Sequence, residues 1–145
     1  VSSSKDFQVP ELGKLKLVIV TYGNGVPTTL LAVQQMMRES LVSEDEVLVV
    51  DSPYLSSTPQ DLVTLFQQLS VHSTGPTATK VLFADVCKES ANMPLNGYVQ
   101  ELNKMRILPA HWAVVAAANT YNPLSRTLTF LSEADIVAAA RNMFD

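Results

Sequence analysis

The sequence predicts an α/β sandwich built on a mostly parallel sheet, and three observations lead to that fold class. Short apolar runs rich in β-branched residues recur at Leu17–Tyr22, Val47–Asp51 and Lys80–Ala84. Each run is close to continuous rather than alternating, as expected of strands covered on both faces. Between the runs stand segments whose apolar residues recur at helical spacing, so strands and helices alternate along the chain. Hydrophobic residues make up 47% and charged residues 17% of 145 positions, which is enough apolar material for a buried core and excludes a disordered chain.

Taken in order, residues 1–12, with Ser2, Ser3, Ser4 and Pro10, read as a lead-in segment or interdomain linker, and residues 13–145 as one domain. The first strand, Leu17-Val-Ile-Val-Thr-Tyr22, ends at the turn signal Gly23-Asn24-Gly25. Val26, Leu30, Val33, Met37 and Leu41 then mark a helix, with Pro27 tolerated in its first turn. The second strand is Val47–Asp51. Thr58-Pro59-Gln60-Asp61 opens the next helix, with Thr as N-cap, Pro at the first position and Asp three residues after the cap. Leu62, Leu65, Phe66 and Leu69 supply its apolar face. A polar connection over His72–Thr79 leads to the third strand, Lys80–Ala84, which closes on Asp85. A helix is expected from about Pro94 to Ile107, with Leu95, Val99, Leu102 and Met105 or Arg106 near one face. Ala113–Ala117 reads as a weaker fourth strand and Asn119–Pro123 as a loop. Ser132-Glu-Ala-Asp135 opens a final helix that runs through Phe144. No internal repeat and no low-complexity segment interrupts this order.

Composition narrows the function classes. Net charge is −4, and no basic run is present, which argues against nucleic-acid binding through a cationic surface. No apolar run approaches the roughly 20 residues of a membrane helix, and the chain does not open on a cationic, apolar signal segment. Cys87 is the only cysteine, so neither an internal disulfide nor a multi-cysteine metal site is available. The first residues, Val1-Ser-Ser-Ser4, lack an initiator Met, a start that a fragment, processing or cloning would each produce.

Few residues are candidates for chemistry. His72 falls in a polar loop and His111 beside Trp112 at a helix-to-strand junction, and a lone His in such places is more often a surface or packing residue than a base. Cys87 follows a strand end, where a half-buried thiol is the commoner state than a nucleophile. No Gly-x-Ser-x-Gly elbow occurs. Tyr22-Gly23-Asn24-Gly25-Val26 places two glycines between a strand and a helix, where backbone N–H groups can meet an anion. It lacks the third glycine of a dinucleotide fingerprint and the Lys-Ser/Thr of a P-loop, and a tight turn needing glycine's φ freedom accounts for it equally well. Asp51 and Asp85 end apolar strands, the edge where parallel sheets bind ligands. They can bind a cation or a partner's Arg there, or cap the loops that follow.

These segments together resemble the transketolase-type C-terminal domain, most closely that of the β subunit, or β half, of thiamine-diphosphate-dependent 2-oxoacid dehydrogenases of the pyruvate, branched-chain and acetoin type. Val18-Ile-Val-Thr-Tyr-Gly23 followed by an amphipathic helix, Val47-Leu-Val-Val-Asp51 and Pro59-Gln-Asp61 carry the resemblance. The lead-in Pro10-Glu-Leu-Gly-Lys14 and Gly97 at the third helix add to it. Ala117-Ala-Asn-Thr-Tyr-Asn-Pro123 echoes the family's Ala-Pro-Asp-Thr-Pro-x-Pro, with Asn119 in the Asp place and Thr120 and Pro123 matching. The likeness spans roughly residues 10–144. The chain departs from the family at Asp51-Ser-Pro-Tyr-Leu55, which lacks the family's Arg, and at Ala84-Asp85, where the family has His-Glu.

The resemblance implies a three-layer α/β/α sandwich of about five strands, mostly parallel, with room for one antiparallel strand at an edge. It implies a non-catalytic piece of an enzyme that decarboxylates a 2-oxo acid on thiamine diphosphate and magnesium and passes the acyl group to a lipoyl arm. In such an enzyme other domains hold the cofactor, so no catalytic, cofactor or metal residues are expected here. Tyr22, Gly23, Asn24, Asp51, Asp85, Asn119, Thr120 and Pro123 become candidate strand-end or interface positions. The implied partners are the remaining domains of the dehydrogenase, its lipoyl acyltransferase core and a second copy. Trp112, Tyr121–Leu124 and Met143–Phe144 are the expected apolar contacts. Bacterial cytoplasm or mitochondrial matrix is the implied compartment. Two alternatives stand beside this reading: the equivalent domain of a transketolase, deoxyxylulose-phosphate synthase or 2-oxoacid:ferredoxin oxidoreductase, and a free-standing binding or regulatory domain.

Overall fold

The structure, a computed structural model, describes residues 2–3, 15–52, 60–72, 79–88, 94–107, 111–117 and 131–144. In chain order the elements are β1 (Ser2–Ser3), β2 (Leu17–Thr21), α1 (Gly25–Arg38), β3 (Val47–Asp51), α2 (Gln60–His72), β4 (Lys80–Lys88), α3 (Pro94–Lys104), β5 (Trp112–Ala117) and α4 (Glu133–Phe144). The sheet order is β1-β3-β2-β4-β5, and all the described pairings are parallel. Four strands of full length carry the sheet. The expected count of about five is reached only through the two-residue β1, which pairs with Val50 and Asp51 at one edge. The antiparallel edge strand allowed for above is not found among the described residues.

Alternation along the strands divides the core in two. Leu17 and Ile19 of β2, Val49 of β3, and Leu82 and Ala84 of β4 pack with α1 and α4, through Ala32, Val33, Met36, Ile136, Val137 and Ala140. Val18 and Val20, Leu48 and Val50, and Val81 and Phe83 face the other way, onto Leu62, Leu65, Phe66 and Leu69 of α2 and Leu95, Tyr98 and Leu102 of α3. Both faces of β2 are therefore buried, which is why its sequence reads as an unbroken apolar run. A crossover through α1 leads from β2 to β3, and one through α2 returns past β2 to β4. The chain thus reverses direction across the sheet between β2 and β4.

Several boundaries differ from the sequence reading. The buried stripe of α1 is Gly25, Thr29, Ala32, Val33 and Met36, while Leu30, Met37 and Leu41 flank it half-buried. Helix α1 ends at Arg38 because Ser40 turns left-handed at φ 59°, and the N–H groups of Ser40 and Leu41 donate to Met37 O and Met36 O. Helix α3 ends the same way at Lys104, with Arg106 at φ 58° and bonds from Arg106 N to Asn103 O and Ile107 N to Leu102 O. Met105 and Arg106 are consequently exposed and lie off the apolar face. Strand β4 continues to Lys88, so Cys87 lies within a strand rather than beyond one, and His72 is the last residue of α2 rather than part of a loop. The start of α4 is as expected: Asp135 N donates to Ser132 Oγ and Ser132 N to Asp135 Oδ2, both at 3.2 Å. The Thr58 cap lies outside the described residues.

Candidate functional site

In an open parallel sheet, ligands bind beyond the carboxyl ends of the strands, where the direction of winding reverses. Here that place lies between β2 and β4. Three strand rows that face α3 each end in a polar residue: Val18-Val20 in Tyr22, Leu48-Val50 in Ser52, and Val81-Phe83 in Asp85. The first turn of α3 closes over them. The Tyr22 hydroxyl donates to Asp85 Oδ1 at 2.5 Å, bridging β2 and β4 at the reversal point. Leu95 N–H, in the first turn of α3, donates to Asp85 Oδ2 at 3.0 Å. A carboxylate at a helix N-terminus satisfies a backbone donor and meets the positive end of the helix dipole. One turn later the Ser52 hydroxyl donates to Tyr98 Oη at 3.0 Å. Thr21, on the opposite row of β2, donates through Oγ1 to Ala84 O at 2.9 Å and ties the same two strands together.

This cluster is sealed. Asp85 is 0% exposed, and Tyr22, Ser52 and Tyr98 are buried. Burial pushes the Tyr98 phenol above its ordinary value, with the Ser52 hydrogen bond acting in the opposite sense. The bonds from Leu95 N to Asp85 and from Ser52 to Tyr98 therefore hold α3 against the sheet.

The glycine turn beside it adds no free anion site. Gly25 N–H donates to Tyr22 O at 2.9 Å and Val26 N–H to Gly23 O at 3.2 Å, and Pro27 has no N–H. The first three positions of α1 thus offer no unengaged donor, unlike a helix start that cradles phosphate. Gly23 is required by its backbone, with φ +53°, and not by crowding, because a Cβ there would meet nothing within 4 Å. Asn24 precedes the helix without a side-chain capping bond and is exposed. Of the two readings of Gly23-Asn24-Gly25, the geometry favours the turn.

Of the expected positions, the structure brings Tyr22 and Asp85 together in the cluster and leaves Gly23 and Asn24 on its rim. Asp51 does not join it. Its place in the row of Val47 and Val49 turns it toward the α1 side, half-buried, and Ser52 takes the position facing α3. Asn119, Thr120 and Pro123 lie outside the described residues. Ser52 and Tyr98 were not anticipated. The signal for Ser52 is the period of two carried one step beyond the last apolar residue of β3. Tyr98 follows from Leu95 and Leu102, which flank it at helical spacing. His111 is exposed, and no group of three or more potential metal ligands is found among the described residues.

At the opposite end of the sheet, a shallow groove is lined by Met37, Ser40, Val42, Ser43, Glu44 and Glu46. Glu46 pairs with Lys16 at 2.6 Å and accepts from Ser43 N at 2.8 Å, and these bonds hold its carboxyl below the usual value. Among the described residues no helix is long and apolar enough to cross a membrane. No protein-family model matches the chain, and a search of curated proteins finds no significant match.

Proposed function

We propose that this chain is the non-catalytic C-terminal domain of the decarboxylating component, β part, of a thiamine-diphosphate-dependent 2-oxoacid dehydrogenase, serving subunit assembly and docking of the acyltransferase core. The observation that carries the reading is the Tyr22–Asp85–Leu95 bridge. It fills the place where a doubly wound sheet would otherwise open to a ligand, so the strand ends act as a joint within the domain. The resemblance at Val18-Ile-Val-Thr-Tyr-Gly23 supplies the family, and its Tyr is the residue that makes the bridge.

The residues at this edge do not suit the cofactor itself. A diphosphate needs N–H donors and cations, whereas the described side chains here include the carboxylates of Asp51 and Asp85, and the first positions of α1 have no free N–H. The same argument weighs against a sugar-phosphate parent with a phosphate site at these strand ends. In this reading thiamine diphosphate and magnesium belong to the neighbouring domains. The chain works with those domains, a lipoyl acyltransferase and a second copy of itself, in bacterial cytoplasm or mitochondrial matrix.

The test is to capture the native protein with an antibody against this chain and assay the eluate. The expected result is oxidation of pyruvate or a branched-chain 2-oxo acid, with ferricyanide as acceptor, that requires added thiamine diphosphate and magnesium. The isolated chain, titrated with the cofactor in a calorimeter, should give no binding heat. Recovery of the chain without cofactor-dependent oxidation would favour a free-standing binding domain, and micromolar cofactor binding by the isolated chain would overturn the non-catalytic role.

A further inference from the structure

We draw no further inference here: the strongest candidate, the apolar patch that Trp112 (42% exposed) and half-buried Val114 of β5 present at the end of the described sheet, carries nothing because nothing in the structure shows what covers it.

Discussion

Replacing Tyr22 by Phe removes one oxygen and leaves the ring, so it deletes the bond to Asp85. That bond is 2.5 Å long, its acceptor is a carboxylate, and Asp85 is 0% exposed. Hydrogen bonds to charged groups contribute about 1.5–3 kcal/mol, against about 0.5–1.5 kcal/mol between neutral groups. The buried setting places Tyr22→Phe in the upper half of the first range, because Asp85 is closed to water and Oδ1 would lose a donor without gaining a solvent partner. A loss of about 2–3 kcal/mol is expected. Tyr98→Phe is the internal control, since it deletes a neutral bond from Ser52 in the same layer and should cost about 1 kcal/mol. Urea unfolding at pH 7, followed by far-ultraviolet circular dichroism, measures both. With a slope of roughly 1–3 kcal/mol/M for a domain of this size, Tyr22→Phe should lower the midpoint by about 0.7–3 M at unchanged slope. If Tyr22→Phe proves no more costly than Tyr98→Phe, Asp85 is not the buried, charge-assisted anchor described here, and the account of the strand-end joint fails with it.

Four further outcomes follow from the same structure. Ser40→Gly and Arg106→Gly should each raise stability by about 1 kcal/mol in urea, because both residues hold left-handed φ values at helix ends where glycine carries no Cβ penalty. Thr29→Val should be neutral or stabilising by up to about 1 kcal/mol, since the Thr29 hydroxyl is buried and has no hydrogen-bond partner among the described residues; a Tm lowered by several degrees would contradict this. Asp85→Ala should speed hydrogen exchange at the Leu95 amide well beyond the change at Leu102, the former having lost its acceptor. Tyr98 has a folded value above its ordinary 10.0, so its contribution is fully present below pH 10.0 and is lost as pH rises through the folded value. The fall in unfolding free energy above pH 10.0 should accordingly be shallower in Tyr98→Phe than in the parent chain.

The parts of this fold legible in the sequence are those where one physical signal dominates. Leu17–Thr21 is buried on both faces, so its apolar run had a single interpretation. Ser132 and Asp135 form a local capping pair whose spacing alone specifies a helix start. Legibility fails where tertiary packing decides. Large residues such as Leu30 and Met37 mark α1 as a helix, but its buried stripe includes Gly25, Thr29 and Ala32, which no hydrophobic pattern favours. Helices α1 and α3 end earlier than their apolar spacing predicts because Ser40 and Arg106 stand at left-handed positions where glycine is the usual signal. Asp51 and Asp85 both close apolar strands, yet the two fall on opposite rows. A shift of one residue changes the face, and the row facing α3 is settled only by which apolar residues meet that helix.

The strand-end joint also explains why polar groups persist at a point where apolar residues would pack. Strand pairing and the two apolar layers align the sheet and its helices, but neither specifies where along the strands α3 must begin. A carboxylate on β4 that accepts from β2 on one oxygen and from the first turn of α3 on the other has one geometry that satisfies both. The Ser52–Tyr98 bond repeats the constraint from β3 one turn later. Sliding α3 by a residue would leave Asp85 and Tyr98 buried with unmatched partners, at a cost of about 1–3 kcal/mol for each unsatisfied group and more for the charged one. These residues therefore confer register as well as stability. Displacing α3 along the sheet would move its exposed side, Gly97, Gln100, Glu101 and Lys104, relative to the rest of the surface, so the joint fixes that surface as well as the core.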